Sequence, residues 1–72
     1  MADDQMEAAV GEVLRAFPEV VDRWRRNEPG AWGHLAGQGV LAYRRRLGRP
    51  LTDAERRRVW SALWASLEST KS

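Results

Sequence analysis

Apolar residues recur along this chain at intervals of three and four, the period of an α-helix. Met6, Val10, Val13, Leu14, Phe17, Val21 and Trp24 make one such stripe through residues 3–26. Pro18 lies inside it, where a proline removes a backbone amide and crowds the carbonyl of the preceding turn. Because the stripe keeps its phase across the proline, the spacing predicts a kinked helix, or two abutting segments, packed on one core. Trp32, Leu35, Ala36, Val40, Tyr43 and Leu47 predict a second helix over about Ala31 to Leu47. It follows an Asn27-Glu28-Pro29-Gly30 loop that sets Pro29 at its first turn. Val59, Trp60, Leu63, Trp64 and Leu67 predict a last helix from Asp53 to about Ser69, with all of these side chains buried.

The junction before that last helix carries the clearest local signal. Leu47-Gly48 reads as a helix end, because glycine enters the left-handed backbone region without steric penalty. Pro50 forbids simple continuation. Thr52, followed three residues later by Glu55, predicts a capping box. The expected fold is therefore all-α. It is a small three-helix bundle, four-helix if Pro18 breaks the first helix, closed by a C-terminal hairpin like a helix–turn–helix. Residues 1–72 form a single domain, with fraying expected at 1–3 and 69–72.

Composition narrows how so short a chain holds together. A core of this size typically supplies about 3–5 kcal/mol of net stability, and such domains often lean on disulfides, metals or association. The chain has no cysteine and one histidine, which excludes disulfides and thiolate metal sites and leaves no cluster with metal-ligand spacing. Tight helix packing, self-association or both remain. Four tryptophans supply large packing units.

The formal charge of +2 hides a polarity: residues 1–36 carry −3 and residues 37–72 carry +5. Seven of the eleven arginines fall between positions 44 and 58. Such asymmetry fits an acidic partner or nucleic acid. It fits equally well an acidic first helix packed against a basic second half of the same molecule. No apolar stretch is long enough to span a bilayer, and the start MADDQMEAA is acidic rather than basic, so a cytoplasmic protein without membrane contact is expected.

Two groups of residues are candidates for contact with a partner. Arg44, Arg45, Arg49, Arg56 and Arg57 cluster around the hairpin corner, where arginine suits phosphate or carboxylate. Arg56 falls on the apolar stripe of the last helix, its stem expected to cover the core edge while its head reaches water or an acid of the first helix. Arg57 is expected beside Trp60 and Trp64, within reach of cation–π stacking. Gly33, Gly37 and Leu41 share another side of the central helix. Interior glycines cost about 0.5–1 kcal/mol each relative to alanine, so this side is expected to meet a neighbouring backbone, within the chain or across a dimer.

Catalysis finds no support in these residues. His34 has no acid or nucleophile near it in sequence with which to form a working pair, and Gly37-Gln38-Gly39 does not follow a strand as a phosphate loop would. No cofactor is expected. The residues point to a non-enzymatic helical interaction or regulatory module, self-associating or bound to a protein partner. The alternative is a nucleic-acid-binding protein that sets residues 44–58 against phosphates, although the exposed face of the last helix offers few side chains to read bases.

Overall fold

A computed structural model describes residues 4–70. It contains four helices: α1 (Asp4–Ala16), α2 (Pro18–Arg25), α3 (Ala31–Leu47) and α4 (Asp53–Ser69). Of the two forms allowed at Pro18, the chain adopts abutting segments. Only Phe17 leaves the helical region, at φ −127° and ψ 56°. Its amide still donates to the Val13 carbonyl at 3.0 Å, and its own carbonyl accepts from Val20 and Val21 at 3.1 Å. Pro18 then opens α2 at the position where a missing amide costs nothing. The apolar stripe passes through this joint, with Met6, Val10, Val13, Val21 and Trp24 all buried.

The α2–α3 connection differs from the expected loop. Asn27 stands at φ 60°, its amide bonded to Trp24 and that of Glu28 to Arg23. These two bonds are the Schellman closure of α2, with asparagine in the left-handed position more often held by glycine. Pro29 therefore lies in the turn rather than in α3, and Gly30 at φ 85° precedes the first residue of the helix.

Helix α3 is the centre of the bundle and touches the other three. Its innermost side keeps Leu35, Ala36 and Tyr43 of the stripe expected from spacing but not Trp32, Val40 and Leu47. The buried residues are Ala31, Leu35, Ala36, Gly39, Ala42 and Tyr43, while Trp32, Val40 and Leu47 are only half-buried. Where two helices press on a third, small side chains set the closest approach and large ones fill the flanks. Gly39 shows this directly. A Cβ there would lie 3.1 Å from Val59 Cγ1 and 3.5 Å from Leu63 Cδ2. Helix α4 answers with Val59, Leu63 and Leu67, spaced by four and fully enclosed.

Trp60 and Trp64 depart from expectation. Helical spacing sets both on the buried stripe of α4, yet they stay 40% and 45% exposed. The buried seam of α4 is a single row, because the other helices cover only one of its sides. Trp24 alone among the indoles is buried. Trp64 packs edge-on against Trp24 at 5.3 Å and against Trp32 at 5.1 Å, joining α2, α3 and α4 through one aromatic cluster.

At the C-terminus α4 runs to Ser69, and the Thr70 amide and hydroxyl both bond the Leu67 carbonyl. The fraying expected at 1–3 and at 71–72 lies outside the described residues. No helix among the described residues is long and apolar enough to cross a membrane.

Candidate functional site

The α3–α4 hairpin owes its geometry to a few residues. Gly48 closes α3 at φ 73°, its amide donating to Arg44 O at 2.8 Å. Four residues later Thr52 caps α4: its hydroxyl accepts from the Glu55 amide at 3.2 Å, and Glu55 Oε1 accepts from the Thr52 amide at 2.9 Å. The capping box is thus complete. Arg49 tightens it by donating to both Glu55 oxygens, at 2.8 and 2.7 Å, and to the Pro50 carbonyl at 3.0 Å. A bidentate guanidinium–carboxylate pair is the most directional ion pair available to a protein.

This clasp sets the charge state of Glu55. The Arg49 hydrogen bonds, then the Thr52 amide, pull its carboxyl from the usual 4.5 down to about 2, against a smaller opposing effect of burial. Between those two values the folded chain binds fewer protons at this position than the unfolded chain. The stabilisation is therefore fully present above about pH 4.5 and is lost as pH falls towards 2. Thermal unfolding followed from pH 6 to pH 2 should show a falling midpoint over that window, and Glu55→Gln should flatten the fall. An identical acid slope in the variant would mean the clasp does not form in solution.

The five candidate arginines do not act as one group. Arg49 is engaged by Glu55. Arg56 pairs with Asp53 of its own helix, not with an acid of α1. Arg44, Arg45 and Arg49 do line a common shallow depression with Leu41, Gly48 and Pro50. Arg57 is exposed, and the ring contacts of Trp64 are with the indoles of Trp24 and Trp32 rather than with this guanidinium. The residue that links the basic half to the acidic first helix is Arg46, which reaches Glu12 at 3.0 Å and Gln5 at 3.4 Å. The split in charge between the two halves was its only trace in the sequence.

Gly33 and Gly37 are not used for packing inside the chain. Nothing lies within 4 Å of a Cβ built on either, in contrast with Gly39. Together with Ala36, Val40, Leu41 and Trp60 they line an open trough of about 790 Å³ between α3 and α4, with Arg56 at its edge. Trp60 also borders a second depression with Trp32, Ser61, Trp64 and Ala65. Leu41 is 40% exposed and belongs both to the trough and to the arginine-lined depression beyond it. One face of the α3–α4 pair thus runs from indoles, past open glycines, to arginines.

His34 sits on the trough wall with its ring 5.4 Å from that of Phe17, and no acid pairs with it among the described residues. Among those residues no three acids, histidines or cysteines come together as metal ligands would. No protein-family model matches the chain, and neither a curated protein nor a solved structure matches it.

Proposed function

We propose that this chain is a non-enzymatic interaction module that docks a protein on the α3–α4 face. The observation that carries the reading is that Trp60 and Leu41, each 40% exposed, line one trough together with the open glycines Gly33 and Gly37. Single exposed apolar residues are ordinary, but a contiguous apolar patch on a small protein marks a contact surface. Half-exposed tryptophan rimmed by arginine has the composition of an interface centre.

The arginine corner supports a second reading, contact with nucleic-acid phosphates through Arg44 and Arg45, for which no ion pair is formed among the described residues. This reading is the weaker one. Arg49 and Arg56 would have to leave Glu55 and Asp53 to take part, and the affinity of phosphate contacts grows with the number of free cations.

A photo-crosslinking residue placed at Trp60 in living cells tests the choice, with the same residue at exposed Glu7 of α1 as control. Capture of a discrete protein species, this chain included, from position 60 and not from position 7 is the expected result. Capture of nucleic acid in its place would favour the second reading. No product from position 60 would mean the face is bare in the cell, and the proposal would fall.

A further inference from the structure

We infer that the occupant of this face is a second copy of the same chain, docked about a two-fold axis at Gly37 with the two α3 helices antiparallel. The inference rests on the docking reading above and adds the identity of the partner and the register.

The shape of the trough is complementary to itself. Gly33, Gly37 and Leu41 follow one another at intervals of four on the side of α3 that faces the trough. In an antiparallel pair centred on Gly37, equal steps in opposite directions bring Leu41 of each copy over Gly33 of the other. Leu41 protrudes into solvent, while the space above Gly33 and above Gly37 is empty. Each copy therefore supplies one projection and one hollow, the condition for a closed isologous contact. Trp60, on the trough wall, flanks the incoming helix.

Charge selects the antiparallel sense. The last turn of α3 carries Arg44, Arg45 and Arg46, and its first turn carries no acid. A parallel pair would set these arginines side by side. In the antiparallel pair Arg44, on the same side of the helix as Gly37, comes instead to the partner's Gly30, two residues from Glu28, an exposed acid that Arg44 would share with Arg26, its ion-pair partner within the chain. The opposed α3 dipoles also attract in this arrangement, whereas parallel ones repel. The Gly33 and Gly37 backbones, which approach nothing within the chain, then acquire the close contact that justifies glycine in the middle of a helix.

Sedimentation across a roughly thousandfold range of concentration should show a monomer–dimer equilibrium. Gly37→Gln should weaken dimerisation at least about tenfold, because a long side chain from each copy meets at the axis, while helix content and melting of the dilute monomer are retained or improved. The register has its own test, since the chain has no cysteine. Oxidation of a mixture of Gly33→Cys and Leu41→Cys chains should give the mixed disulfide in excess over either symmetric one, as only Cα atoms closer than about 7 Å can be bridged. A dimer indifferent to Gly37→Gln, or a preference for symmetric Leu41→Cys crosslinks, would overturn the proposal. So would a monomer at every concentration. A monomer whose position 60 still crosslinks to a different protein would leave the docking surface standing without the second copy. A monomer that captures nothing would remove both.

Discussion

Leu63→Ala leaves the chain largely unfolded at physiological temperature. Leu63 is fully enclosed in the middle of the buried row of α4, over the point where α3 comes closest. Truncating a buried leucine to alanine costs about 2–5 kcal/mol, because the lost transfer energy is joined by a cavity that the surroundings fill only in part. The whole net stability of a domain of this length is typically about 3–5 kcal/mol. No disulfide makes up the difference, the chain having no cysteine. Circular dichroism on heating should show the cooperative transition moved far down or abolished. A variant that melts within a few degrees of the parent would mean that α4 slides inward and closes the hole.

Gly39→Val should be the next most damaging change, for the opposite reason. A bare Cβ at this position already lies 3.1 Å from Val59 Cγ1, so the two methyls of valine find α4 in their way. Overpacking of this kind costs about 1–3 kcal/mol. Gly39→Ala should be close to neutral, since the gain of about 0.5–1 kcal/mol in helix propensity is offset by crowding. Gly37→Ala meets nothing and should gain that amount in the isolated chain. The order Gly37→Ala above parent, Gly39→Ala near parent and Gly39→Val well below is readable from urea midpoints. Equal midpoints for the two valine and alanine variants at position 39 would show that α4 yields freely.

These glycines show what was readable in the sequence and what was not. Helical spacing identified which residues share a face, and so the order of the helices and the continuity of the stripe past Pro18 were legible, as was the capping box in Thr52 and Glu55. Kink or break at Pro18 stayed open until the structure showed two helices. Spacing carries no information on how much of a face the neighbours cover. Trp60 and Trp64 share the apolar side of α4 with Leu63, yet only Leu63 is covered. Likewise Gly33, Gly37 and Gly39 look alike in sequence, and only the position of α4 makes Gly39 the close contact.

The arginines were harder still. Arg49 reaches Glu55 across a turn, a pairing that helical i,i+4 rules do not anticipate. Arg46 meets Glu12 from thirty-four residues away. Arg56 and Asp53, in contrast, are a local i,i+3 pair on one helix, which the expectation of water or an acid of the first helix around the Arg56 head group does not include. Asn27 in a left-handed backbone is a further surprise of this kind, because asparagine marks a turn without stating which backbone region it enters.

The clasp at the hairpin has a bearing on recognition that its chemistry alone does not suggest. With Gly48 fixing the end of α3, and Thr52, Glu55 and Arg49 fixing the start of α4, the two walls of the trough are held at a set spacing by groups at its root. A surface that must be assembled on contact exacts conformational entropy from every complex it makes. Here that entropy is lost when the chain folds, so a partner docked as proposed on α3 and α4 would meet two walls already held in place.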